Sequence, residues 1–200
     1  MKVTLDNVSK SFPGRKVFEN ISLEIDKGKT LVITGANGSG KTTLIKIICA
    51  LLTPTSGKVI FNHNNHDLTG AEILKYAGYA APDLFLYDEL TAAENIDFFA
   101  RVSGIDNPDI KSAMAKYGLS GRENDMVGSY SSGMKQRLKY ILALLKKPPL
   151  LLLDEPTANL DEQGRAIVDD VIKNHEGITV IATNEKNELK YADETIRLGE

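Results

Sequence analysis

The sequence predicts an α/β fold with a mostly parallel core sheet, antiparallel strands at the N-terminus and an inserted helical lobe. Three observations carry this. A short β-rich run, Thr30–Thr34, leads through closely spaced glycines into a helical pattern over Lys41–Leu52. A run of four leucines, Leu150–Leu153, ends in Asp154-Glu155; it is too short for a helix and the right length for a buried strand. Between them, from about Pro82 to Tyr130, the apolar residues fall at helical spacing. Strands that alternate with helices imply a sheet with largely parallel strands.

The elements follow in order. Val3–Val8 and Val17–Ile25 mix β-branched and apolar residues and predict two strands, with Pro13-Gly14 as the turn between them. Thr30–Thr34 reads as a buried parallel strand. The helix over Lys41–Leu52 is expected to stop before Pro54. Lys58–Phe61 and Tyr76–Ala80 predict further strands. In the middle, Ala92, Ile96, Phe99 and Ala100 share one helical face, and Ile110, Ala113, Met114 and Tyr117 another. A longer helix runs from about Ser132 to Lys147 with Leu138, Ile141, Leu142 and Leu145 inward, and Lys135, Arg137 and Lys139 on a solvated face. Pro148-Pro149 ends it. After the leucine strand come a helix over Asp161–Asn174 and strands at Thr179–Thr183 and Thr195–Leu198. The domain expected is a single one, with a nucleotide-binding core over 1–81 and 148–200 and a helical lobe over 82–147.

Composition narrows the function classes. Apolar residues make up 42% and charged residues 26%, enough for an ordinary core in 200 residues. The net charge of −3 argues against a general phosphate-backbone binder, so no nucleic acid is expected as a partner. Cys49 is the one cysteine; it excludes an intrachain disulfide, and its apolar run Ile45–Leu52 predicts a packed core thiol. The N-terminal residues show no secretory pattern, and no window approaches 18 uninterrupted apolar residues.

Residues 35–43 read Gly35-Ala36-Asn37-Gly38-Ser39-Gly40-Lys41-Thr42-Thr43. This is the phosphate-loop pattern G-x-x-x-x-G-K-[ST], preceded by a strand and followed by a helix as the chemistry needs. Glycines let backbone N–H groups converge on phosphate oxygens, and the helix N-terminus adds positive potential. Lys41 would reach the β- and γ-phosphates of ATP, and the Thr42 hydroxyl would hold Mg²⁺. The fold class is thus that of a P-loop NTPase. Asp154 and Glu155 follow a buried strand, whose C-terminal end lies beside the ligand crevice in an open α/β sheet. Asp154 is the candidate Mg²⁺ acid and Glu155 the candidate general base for water.

Three further stretches resemble one family. Tyr130-Ser131-Ser132-Gly133-Met134-Lys135-Gln136-Arg137 resembles the signature of ABC-transporter ATPases, usually L-S-G-G-Q. Ala158-Asn159-Leu160-Asp161 resembles their D-loop, and Leu90-Thr91-Ala92-Ala93-Glu94-Asn95 the opening of their helical lobe. The order is right along the whole chain. It is similar to short single-cassette subunits such as the haem-exporter type of cytochrome c biogenesis. The resemblance implies a dimer that sandwiches two ATP molecules, a homodimer or a pair with another ABC subunit. Ser132 and Gly133 of one copy would meet the γ-phosphate held by the other. It also implies a membrane permease on a separate chain, and a cytoplasmic subunit peripheral at the inner face of the cell membrane through that permease. Phe12 stands where the family stacks an aromatic on adenine; the alternative is a partly buried core ring. Phe85, Leu86 and Tyr87 would either line a groove for a permease helix or pack inside the protein.

Two family positions differ. The Q-loop glutamine falls on Pro82, which has no side-chain oxygen; Asp83 beside it carries a carboxylate. The γ-phosphate-sensing histidine falls on Asn184, which donates a hydrogen bond but cannot carry the proton an imidazole can. Binding residues are intact, so the expectation is a slowed ATPase. The alternative is a nucleotide-gated dimerisation module with little hydrolysis.

Overall fold

The structure, a computed structural model, describes residues 1–199. The chain divides into two compact units. The first comprises 1–79, 149–155 and 175 onward; the second comprises 80–148 and 156–174.

In the first unit, β1 (Lys2–Phe12) pairs antiparallel with β2 (Arg15–Asp26) and with β4 (Ser56–His63). A short β5 (His66–Leu68) completes this sheet in the order β2-β1-β4-β5. The second sheet has the order β6-β7-β8-β3-β9. It consists of β3 (Thr30–Gly35), β6 (Ala77–Ala80), β7 (Leu150–Asp154), β8 (Ile178–Thr183) and β9 (Glu194–Leu198). Pairing is parallel across β7-β8, β8-β3 and β3-β9. Every residue of β7 and β8 is buried, which is why both read as unbroken apolar runs rather than as alternating ones.

Helix α1 (Lys41–Ile48) follows β3 and buries Leu44, Ile45, Ile47 and Ile48. These join Val3, Leu5, Phe61, Leu31, Ile33, Leu150, Leu152 and Val180 in one core. Cys49 is fully buried there, and burial pushes its thiol up to about 11, as a packing role requires. The helix is shorter than its apolar pattern predicts. Ala50 takes a left-handed φ of 61°, and the amides of Leu51 and Leu52 both turn back to the Lys46 carbonyl. The helix therefore closes well before Pro54. The β4–β5 hairpin is the element the sequence reading lacks. Asn64 and Asn65 hold φ of 51° and 64° between the paired His63 and His66, the left-handed pair that a two-residue turn demands and that asparagine tolerates.

The second unit is helical: α2 (Ala92–Val102), α3 (Ile110–Lys116), α4 (Ser132–Leu144) and α5 (Glu162–Lys173). Each start is capped by a side chain. Thr91 accepts from the Glu94 amide while Glu94 reaches back to the Thr91 amide; Asp109, Ser131 and Asp161 cap the other three. The 80–90 segment is held by the fully buried Asn95. Its side chain accepts from the Tyr87 amide and donates to the Tyr87 and Thr91 carbonyls. The solvated face expected for Lys135, Arg137 and Lys139 is not found. Lys139 is buried, and Lys135, only partly exposed, pairs with Asp88 at 2.8 Å. A buried ammonium needs oxygen partners, and Lys139 finds the Ala81 and Pro82 carbonyls.

Replacing Asn95 by Ala leaves the Tyr87 amide and the Tyr87 and Thr91 carbonyls without this partner. We expect a loss of about 2 kcal/mol in urea unfolding, with exchange of the Tyr87 amide accelerated above that of the α4 amides.

Candidate nucleotide site

The phosphate loop joins β3 to α1. Gly35 (φ 151°) admits no side chain, because a Cβ there would run into the Leu198 carbonyl and the Ser39 hydroxyl. Gly40 (φ 105°) is closed in the same way by Val17 and Phe18 of β2. Gly40 also caps α1 without a side chain, so no cap group competes for the first N–H groups of the helix. The exposed Ala36, Asn37 and Gly38 form the rim. Ser39 closes a turn by donating its amide to the Ala36 carbonyl at 3.1 Å. Its hydroxyl is buried and lacks a hydrogen-bond partner among the described residues. Such a group suits a phosphate oxygen. Thr43 is half-buried in the first turn of α1.

Lys41 is buried. Its ammonium donates to the Gly35 carbonyl at 3.0 Å and the Ala36 carbonyl at 3.3 Å, and lies 3.7 Å from Glu155. Thr42 donates its hydroxyl to Asp154 Oδ2 at 2.7 Å, linking α1 to the end of β7. A hydroxyl and a carboxylate in contact, beside a loop shaped for phosphates, are hard oxygen donors of the kind Mg²⁺ takes together with substrate phosphates. Thr42 and Asp154 thus fit the metal, which when bound would neutralise charge on the phosphate oxygens.

Glu155 stands one residue past β7 with a left-handed φ of 47°. For a non-glycine residue that conformation costs about 1–3 kcal/mol and is concentrated at functional sites. Its amide is held by the Ala182 carbonyl at 2.8 Å. Burial raises the Glu155 carboxyl above its ordinary value. The Asn184 amide, 3.4 Å from Oε2, and Lys41 oppose that rise, while Asp154 and Glu188 add to it. Asn184 in turn donates its side-chain amide to Asn37 Oδ1 at 3.1 Å. Lys41, Thr42, Asp154, Glu155, Asn37 and Asn184 therefore form one connected site.

Other predicted residues stand apart from this network. Phe12 ends β1 with 45% of its surface exposed, so it is no core ring; the Lys10 ammonium lies 4.9 Å from its centroid. Ser132 and Gly133 open α4 in the second unit, with Ser132 exposed and Ser131 supplying the cap. Pro82 and Asp83 are exposed beside the buried Ala81. Burial lowers the Lys139 ammonium below the ordinary lysine value, with the Asp83 charge acting against that and Lys135 with it. The sequence reading missed Arg15, which donates to the Gly38 carbonyl at 2.7 Å and braces the loop from the β1–β2 turn. A cation directly after Pro13-Gly14 was the available signal, visible only once the turn is known to meet the loop.

A parallel sheet whose strand ends gather a phosphate loop, a metal-fitting hydroxyl–carboxylate pair and a buried glutamate defines a P-loop nucleotide-binding protein. The model of the family described as ABC transporter matches residues 18–158, and the chain belongs to that family. Its relatives include the uncharacterised ABC transporter ATP-binding protein YcbN of Bacillus subtilis, 37% identical over 81% of this chain and 53% of its own length. This chain thus spans about half of that relative. The lantibiotic transport ATP-binding protein SrtF of Streptococcus pyogenes is 32% identical over 90% of this chain and 78% of its own. The cytochrome c biogenesis ATP-binding export protein CcmA of Brucella abortus is 32% identical over 92% and 86%. Among solved structures, a dimeric ATP-binding cassette in a post-hydrolysis state with ADP and Pi superposes with a TM-score of 0.85 at 26% identity, over 98% of this chain and 94% of that one.

The raised Glu155 carboxyl has a consequence for stability. A carboxyl that holds its proton more tightly folded than unfolded destabilises the fold once pH rises above its unfolded value, and fully above its folded one. Glu155→Gln is expected to melt at a higher temperature than the parent at neutral pH. The gap should narrow as pH falls through the raised value and close below the unfolded one, near 4.5. Thermal melts across pH 4 to 8 check this; a constant gap contradicts it.

Proposed function

We propose that the protein is the ATP-hydrolysing subunit of an ABC transporter. It works as an ATP-sandwich dimer on a separate membrane permease, at the cytoplasmic face of the membrane. One observation carries the reading: Lys41, Thr42, Asp154 and Glu155 are joined by contacts at the ends of β3 and β7, the parallel strands on either side of β8. Lys41 and the loop amides bind the β- and γ-phosphates of ATP. Thr42 and Asp154 hold Mg²⁺. The Glu155 carboxylate takes the proton of the attacking water, a role that suits a raised value. Asn184 holds the Glu155 carboxylate through its backbone amide and offers a side-chain donor towards the γ-phosphate. Phe12, exposed and paired with Arg15 at the β1–β2 turn that braces the loop, stacks on the adenine. Ser132 and Gly133, at the capped start of α4, meet the γ-phosphate in the second copy.

Among the described residues no helix is long and apolar enough to cross a membrane. The lobe, proposed over 82–147, meets the permease through Phe85, Tyr87, Phe98 and Phe99. These four rings pack edge to face in a cluster, with Phe85 67% exposed.

Pro82 and Asn184 favour a second reading, a module that dimerises on ATP and hydrolyses little. Phosphate release by the protein with its permease separates the two. For the first reading, Glu155→Gln lowers turnover at least about 100-fold and leaves MgATP affinity within twofold. Turnover in the parent rises with pH along a limb above the ordinary glutamate range, and the Gln variant lacks that limb. Measurable phosphate release unchanged by Glu155→Gln rejects Glu155 as the base. Asn184→His, which restores a proton-carrying sensor, is expected to raise turnover severalfold; an equal or lower rate rejects Asn184 as a weakened sensor.

A further inference from the structure

Two neighbouring side chains of α4 grip two segments, one just past the end of β6 and one just past Glu155. Lys139, buried, donates to the Ala81 and Pro82 carbonyls. The Ala81 carbonyl also accepts from the Leu84 amide at 3.1 Å, so the ammonium sits on the first peptide of a tight turn carrying Pro82. Tyr140, fully buried, donates its hydroxyl to the Pro156 carbonyl, and Gln136 donates to the Tyr140 oxygen at 3.2 Å from one turn earlier. Pro156 directly follows Glu155, and Pro82 stands where the family carries its Q-loop glutamine. Both gripped segments lie where the chain enters the second unit, just after Tyr79 and just after Glu155.

We propose that Lys139 and Tyr140 are positioning residues through which α4 holds the Pro82 turn and the segment that opens at Pro156 as one body. A family glutamine would reach the site with its own side chain. Here a fixed cation in the helix that begins at Ser132 holds the backbone of that turn instead. Lysine suits the task, since its single ammonium can bridge two successive carbonyls while its stem packs in the core. The consequence is that a displacement of α4 shifts both loops together. The link to turnover rests on the function proposed above; the grip itself does not.

The test uses the full chain and three variants: Lys139→Met, which keeps the stem and removes the donors, Lys139→Arg, which restores a cation, and Tyr140→Phe, which removes one oxygen. Hydrogen exchange is followed over 80–88 and 155–161 with and without MgATP. In the parent, MgATP slows exchange in both segments together. Lys139→Met is expected to speed exchange over 80–88 about tenfold and to abolish its response to MgATP, while 155–161 still responds. Tyr140→Phe does the reverse. MgATP affinity stays within twofold in both, turnover falls about tenfold, and Lys139→Arg recovers at least half of the parent rate. Unchanged exchange in the gripped segments overturns the proposal. So does a parallel loss of affinity and turnover, which marks Lys139 and Tyr140 as ordinary core residues. A parent that binds MgATP without releasing phosphate rejects the hydrolytic function, and the exchange arm then decides this proposal alone.

Discussion

The register of three buried parallel strands governs the rest of the molecule. Thr34 of β3 pairs with Thr183 of β8, and Ala182 of β8 pairs with Asp154 of β7, so the three strands end level. Parallel strands cannot end level by a local turn; each must return through a crossover from the far end of the sheet. That requirement places the phosphate loop, the Asp154-Glu155 pair and Asn184 at one edge. The phosphate loop comes from more than a hundred residues before the other two in the chain. The leucines of β7 and the β-branched residues of β3 and β8 enforce it, because slipping the register would bury polar groups without partners.

Charge at that edge is balanced by geometry. Lys41 is buried, and its ammonium lies against the Gly35 and Ala36 carbonyls and the Glu155 carboxylate. Phosphate oxygens are stronger acceptors than peptide carbonyls and can take over those donors. Drawing Lys41 towards a phosphate weakens the one side-chain cation that stabilises the Glu155 carboxylate. Burial, Asp154 and Glu188 already favour its protonated form. On the proposed function, nucleotide binding and basicity at Glu155 are linked through Lys41.

Much of this was legible in the sequence, and the misses have physical causes. Period and breaker residues located the five α-helices and every strand but β5 among the described residues, because buried runs such as Leu150–Leu153 have one reading in a chain with strand-helix alternation. The phosphate loop was legible because glycines are required where a Cβ would meet the Leu198 carbonyl or Val17. Lys139 was misread. Its spacing from Lys135 is that of a solvated stripe, and only the tertiary position of the Ala81–Pro82 carbonyls makes burial affordable. Arg15 and the Asn37–Asn184 contact were equally out of reach, since each joins elements whose proximity is set by the sheet.

The departures at Pro82 and Asn184 act on different steps. Asn184 keeps two tasks available to any residue with a backbone amide and a side-chain donor: it holds Glu155 and reaches Asn37. What it lacks is the ability to take up a proton, which bears on the chemistry and leaves binding alone. Pro82 removes a flexible polar side chain and fixes φ in its place, and its carbonyl is then committed to Lys139. A turn held by proline on one side and a buried ammonium on the other has few conformations to choose among. On the proposal above, signals pass through such a turn as movement of its support, helix α4, rather than as a change of rotamer. On the proposed function, a backbone clamp at Pro82 stands in place of a side-chain sensor, and a neutral side chain at Asn184 in place of a protonatable one.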